Sequence, residues 1–119
     1  MDLKYFSLKE FDSPDEPGSG AKMSRGFLLT LDKIRADFGK PLRVNSGYRS
    51  VKHNAYVGGR VGSSHLKGVA VDFACNNSGD RTLLLKAIYK AGIVRVGIAK
   101  TFIHIDIDNN KGAACWLYN

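Results

Sequence analysis

The stretch Phe102-Ile103-His104-Ile105-Asp106-Ile107-Asp108 (FIHIDID) places isoleucine at every second position. Successive side chains of a strand point to opposite faces. Residues 102–107 are therefore predicted to form a strand. Ile103, Ile105 and Ile107 would enter the core, and Phe102, His104, Asp106 and Asp108 would share the other face. A polar row backed by isoleucines is a good place for a site. Working outward, Val94–Ile98 reads as a neighbouring strand, with Ala99–Thr101 as the link. Asp80–Ala91 carries Leu84, Ile88 and Ala91 at helical spacing and ends at Gly92. Val69–Ala74 is a third strand built around Asp72, and Leu42–Asn45 a short fourth. Between these two, Ser46–Ser64 is rich in glycine and reads as irregular. Ser24 is a candidate N-cap for a helix whose face is Phe27, Leu31, Ile34 and Phe38, stopped by Gly39 and Pro41. Ser7 could cap a single turn through Phe11, and Asp12–Gly20 is a loop. Helices and strands mix without a βαβ rhythm, which predicts an α+β fold: a small antiparallel sheet with flanking helices.

The 119 residues form one domain, long enough to bury a core without staples. The formal charge of +7 favours anionic partners but does not choose among nucleic acid, anionic lipid and bacterial wall. The basic residues are scattered, as on a solubilising surface, and no basic tract interleaves with aromatics, so nucleic acid is not expected as a partner. Cys75 and Cys115 can pair or can both be small packed side chains; neither a disulfide framework nor a CxxC metal knuckle is present. No apolar run reaches the roughly 20 residues of a membrane span. The opening MDLKYFSLKEF mixes charged and apolar residues, unlike a signal peptide, so synthesis in the cytoplasm as a monomer is expected.

The chemistry-bearing residues are few. His65 precedes Asp72 by seven residues, and His104 lies in the FIHIDID strand. Two imidazoles and a carboxylate suit a zinc ion that keeps one position open for water. Bound metal lowers the pKa of such a water from about 15.7 toward about 7. By spacing alone, histidine–aspartate separations of this kind also arise by chance.

The order of residues adds more. Ser63-Ser64-His65-Leu66-Lys67-Gly68-Val69-Ala70-Val71-Asp72 resembles the SxHxxGxAxD signature of the D-alanyl-D-alanine carboxypeptidase-like zinc peptidases, with every fixed position filled. Ser46-Gly47-Tyr48-Arg49-Ser50 is similar to that family's SGYRS segment, His53-Asn54 with Val57-Gly58-Gly59 to its HNxxVGG stretch, and Phe102–Asp106 to its FxHxD segment. The likeness runs from about Phe6 to Trp116. It implies a hedgehog-like fold, a single Zn2+ held by His65, Asp72 and His104, and hydrolysis of peptide bonds in bacterial peptidoglycan stems or cross-bridges. It also implies that Arg49 grips a substrate carboxylate or carbonyl, for which a planar guanidinium fork is suited; a structural ion pair is the alternative. Ser63 is a candidate for hydrogen-bonding the substrate backbone.

One position departs from the family. Many members carry an acid three residues before the last zinc histidine, where this chain has Thr101. Asp106, about 7 Å from His104 along the strand at ~3.4 Å per residue, could assist the water or could orient a ligand from outside. Alternatively it is an ordinary solvated carboxylate, as is Asp108. The domain could also bind wall or a protein without cutting. His53 reads as a loop hydrogen-bonder, Gly58 and Gly59 as turn formers, and Tyr48 and Trp116 as either packing residues or groove lining. Without a leader, a wall enzyme needs another route to its substrate, which suggests a phage endolysin or a virion-associated lysin.

Overall fold

Ser24 opens the first helix: its side chain accepts the Phe27 N–H, and helix α1 runs Arg25–Phe38 until Gly39 turns left-handed at φ 81°. In the computed structural model, which describes residues 2–118, β1 (Val44–Ser46), α2 (Val51–Tyr56), β2 (Ala70–Ala74) and α3 (Ser78–Lys90) follow. The chain then forms β3 (Arg95–Ile98), β4 (Phe102–Asp106) and β5 (Ala114–Leu117), with single 3-10 turns at Leu8–Phe11, Ser19–Lys22 and Ser64–Lys67. Among these residues no helix is long and apolar enough to cross a membrane.

The sheet order is β1-β2-β4-β3-β5. The first three pairings are antiparallel, as expected, but β5 runs parallel to β3 and makes the sheet mixed. Three elements differ from the sequence reading. The stretch expected to be irregular contains α2, whose Val51–Tyr56 segment has no apolar stripe to announce a helix. Strand β5 is a further strand, short and largely exposed, with no alternation to mark it. Helix α3 starts two residues before Asp80, because Asn77 accepts the Asp80 N–H and caps the first turn.

The two faces of the sheet have different fates. Val71 and Phe73 of β2, Val96 of β3, and Ile103 and Ile105 of β4 are fully buried. They form one core with Phe27, Leu28, Leu31 and Ile34 of α1, Leu84 and Ile88 of α3, and Phe11. Burying each such side chain contributes about 1.5–3 kcal/mol. Ile107, expected in the core, lies outside it at 41 % exposure, because the strand ends at Asp106 and the alternation ends with it. The opposite face carries one residue per strand in register: Ser46 opposite Asp72, Asp72 opposite His104, His104 opposite Gly97, and Gly97 opposite Trp116. That row is the floor of the site.

Candidate metal centre

Pairing of β2 with β4 brings together two residues 32 apart in sequence: His104 Nδ1 lies 2.8 Å from Asp72 Oδ1. The third residue comes from the 3-10 turn before β2. Ser63 caps that turn by accepting the His65 N–H, and Gly68 ends it in a left-handed conformation at φ 70°. A Cβ at Gly68 would collide with the Lys22 carbonyl, so this close crossing requires glycine. The turn points His65 Nε2 at Asp72 Oδ1, 3.4 Å away.

The other ring nitrogens fix the imidazoles. His65 Nδ1 is 2.7 Å from the Gly47 carbonyl, which can only accept, so Nδ1 carries the proton and Nε2 offers its lone pair. His104 Nε2 is 2.7 Å from Asp106 Oδ2. Asp106 is in turn held by Arg95 Nε at 2.7 Å and by the Asp108 N–H at 3.1 Å. Burial disfavours the charged forms of both His104 and Asp72. It is outweighed for His104 by the Asp106 and Asp72 carboxylates, which raise its pKa. For Asp72 the His104 and His65 rings hold the carboxyl well below the usual carboxylate range. Burial also opposes ionisation of Asp106, and the His104, Asp108 and Arg95 hydrogen bonds reverse that and lower its pKa.

One donor atom from each of His65, Asp72 and His104 lies within 4.8 Å of the other two. Donors about 2.1 Å from a tetrahedral zinc stand roughly 3.4 Å apart, which compares well with separations of 2.8 and 3.4 Å from Asp72 Oδ1 to the two rings. The donor set and its spacing fit zinc.

Other residues named from the sequence fall on either side of the site. Arg49 reaches it: Nη2 is 3.6 Å from Asp72 Oδ2, Nε donates to Ser46 Oγ, and Nη1 donates to Asn54 Oδ1. Ser63 lines the same groove, a cleft of about 880 Å³. Trp116 lines it as well, its ring centroid 5.5 Å from that of His104. Tyr48 instead packs against the core. His53 sits on α2 beside Tyr56, outside the groove lining. Thr101 is exposed in the β3–β4 link, where its carbonyl accepts the Cys75 N–H. Cys75 is buried and Cys115 exposed, and both are free thiols.

Asp106 and Asp108 are not solvated strand carboxylates; both are buried. Asp108 accepts Ser64 Oγ at 2.7 Å and Lys67 Nζ at 3.0 Å, tying the exit of β4 to the turn that carries His65. Sequence reading assigned no role to Arg95, Asn54 or Gly97. Arg95 gave no signal before Asp106 was known to be buried, and Gly97 none before Trp116 was known to lie across it. Asn54 stood in a quoted motif without a chemical role.

A profile of the peptidase M15 family matches residues 5–106. The zinc D-Ala-D-Ala carboxypeptidase of Streptomyces albus G is similar to this chain: 35% identical over an alignment of 83 positions that covers 62% of this chain and 32% of that protein. The chain thus spans about a third of the length of that relative.

Proposed function

The chain belongs to the peptidase M15 family, and from that premise we propose that it is a zinc-dependent peptidase acting on the stem peptides of bacterial peptidoglycan, with a D-Ala-D-Ala terminus as the favoured substrate. The observation that carries this reading is the convergence of His65, Asp72 and His104 beside an arginine, Arg49, whose guanidinium faces the same groove. The name of the Streptomyces albus G relative supports the choice of substrate.

In this reading His65 Nε2, Asp72 and His104 Nδ1 hold the ion. Bound zinc supplies Lewis acidity, acidifying a water and polarising a carbonyl. Everything else is done by the chain. The Gly47 carbonyl and the Asp106 carboxylate hold the two rings so that their remaining nitrogens face the ion, which preserves ligand basicity and orientation. Asp106 is thus a positioning residue, engaged by His104 and Arg95 and not free to take a proton from water. Arg49 binds the terminal carboxylate of the peptide through its planar fork and sets the scissile bond over the ligands. Ser63 offers a hydroxyl to the peptide backbone. Trp116 forms one wall and keeps bulk water from that side of the ring of His104.

A second reading has its own support. Thr101 lies outside the groove lining and Asp106 is occupied, so an obvious carboxylate base is lacking among the groove's described residues. A domain with this site could bind stem peptides without cutting them. One experiment separates the two: purified sacculi are incubated with the zinc-loaded protein, with and without chelator, and released fragments are read by mass spectrometry. Loss of terminal D-alanine that stops with chelator and returns with zinc is the expected result. Protein that pellets with the sacculi and releases nothing would establish binding alone.

A further inference from the structure

Asn54 is buried, 4 % exposed, on α2. Its Oδ1 accepts Arg49 Nη1 at 3.3 Å, and its Nδ2 donates to the Arg60 carbonyl at 2.8 Å. Its own carbonyl accepts the Gly59 N–H at 2.8 Å. The loop over Val57–Arg60 is folded back on this one residue, through its backbone and its side chain: Gly58 adopts φ 74°, and a Cβ at Gly59 would collide with Asn54 Oδ1. Val57, Gly58, Gly59 and Arg60 then line the groove beside Arg49.

The chemistry of the contact is specific to an amide. The hydrogen bonds that direct the Arg49 fork go to Ser46 Oγ and Asn54 Oδ1, two neutral acceptors that take none of its charge, while the Asp72 carboxylate stands farther off, 3.6 Å from Nη2. An aspartate at 54 would accept from Arg49 as well, but would neutralise it and could not donate to Arg60. An alanine would release both the guanidinium and the loop. Backbone contacts lock the same unit to the metal site, since the Arg49 N–H donates to the His65 carbonyl at 3.1 Å.

We infer that Asn54 is a positioning residue for substrate recognition, which couples Arg49 to the Val57–Arg60 loop and so aims the guanidinium at a carboxylate of the bound peptide. The inference rests on the reading that Arg49 receives a substrate carboxylate, and its test keeps the two apart.

The ligand is a reduced-amide analogue of acetyl-D-Ala-D-Ala, which cannot be hydrolysed, and its C-terminal carboxamide. Binding of each to the zinc-loaded protein is measured calorimetrically. A charge-assisted contact to Arg49 gives the wild type a preference for the acid of about tenfold or more. Asn54→Ala and the isosteric Asn54→Asp each lower that preference toward one, with zinc content and amide binding kept. A structural role alone would weaken acid and amide alike. Unchanged preference in folded, zinc-loaded variants overturns the inference. So does failure of both variants to fold, because Asn54 would then serve the fold and not the grip. Equal binding of acid and amide by the wild type removes the Arg49 reading instead, and the inference with it.

Discussion

At Asp72 and His104 three side chains share very little space, and each one's neighbours decide what it can do. His65 has its Nδ1 committed to a carbonyl, and His104 its Nε2 to Asp106, so each ring has one nitrogen left to offer. His53 carries the same functional group but stacks beside Tyr56 on α2. Loss of a single ligand leaves two donors, too few for a tight three-ligand site. His65→Ala, Asp72→Ala and His104→Ala are each expected to lose stoichiometric zinc, measured by atomic absorption after dialysis, while His53→Ala retains one ion per chain. A His104→Ala protein that kept its zinc would rule out this ligand set. The candidate ligands were legible in sequence because the signature around His65 and Asp72 is contiguous and His104 stands in a clean alternation. The burial of Asp106 was not, because a carboxylate two residues along a strand reads the same whether solvent or an arginine faces it.

Among the elements, β3 and β5 depend on one glycine. Gly97 lies between His104 and Trp116 in the row that crosses the sheet. A Cβ built there would stand 2.5 Å from the Trp116 indole nitrogen and 2.7 Å from the Tyr118 ring. Both rings are anchored elsewhere, Trp116 beneath the Arg95 guanidinium at 5.1 Å and Tyr118 against Phe102 at 5.0 Å, so neither can simply give way. Gly97→Ala should push Trp116 off His104 and open that wall of the groove. Trp116 is the single tryptophan of the chain, which makes its emission a direct readout: a red shift is expected on substitution. Emission identical to wild type would mean that the indole does not rest on Gly97. Helix α1 and strands β2 and β4 were legible because their apolar periodicity is long enough to recognise. Strand β5 was not, since four residues that are mostly exposed carry no such pattern and gain their order from the β3 edge.

For the whole molecule, Asp108 is the staple that joins distant parts of the chain. Its carboxylate is buried and is bonded by Ser64, 44 residues away, and by Lys67. Burial works against its charge, but the Ser64, Lys67 and Asn110 hydrogen bonds prevail and hold the carboxyl well below the usual carboxylate range. A carboxyl with a depressed folded pKa contributes stability that is present above its unfolded value of about 4, and that is lost as pH falls through the folded value. Asp108→Asn should therefore lower the Tm at pH 7, by the equivalent of about 1–3 kcal/mol for a disrupted buried hydrogen-bond set. The gap from wild type should narrow as the pH is taken below about 4. Thermal unfolding at a series of pH values checks this, and a gap independent of pH would show that the charge of Asp108 is not what holds the two segments.

The sequence by itself determined the α+β class, the helix that begins after Ser24, the inward isoleucines Ile103 and Ile105, and the candidate ligands. The first three follow from local rules, since backbone geometry sets periods of 3.6 and 2 and caps sit next to the residues they cap; the candidate ligands came from the resemblance of the segments around His65, Asp72 and His104 to a family's signature. Only the tertiary structure decided what those residues meet. The row from Ser46 through Asp72, His104 and Gly97 to Trp116 exists because of how five strands pair, including a register shift between Val44 and Ser46 that sets Ser46 opposite Asp72. A shift of one residue in the pairing of β2 with β4 or of β4 with β3 would turn that strand's site residue to the other face. The same holds for the burial of Asp106 and Asp108, the capture of Arg49 by Asn54 and the parallel return of β5. Each is a contact whose partner lies in another element or loop, and the energies that select it are summed over the packed molecule.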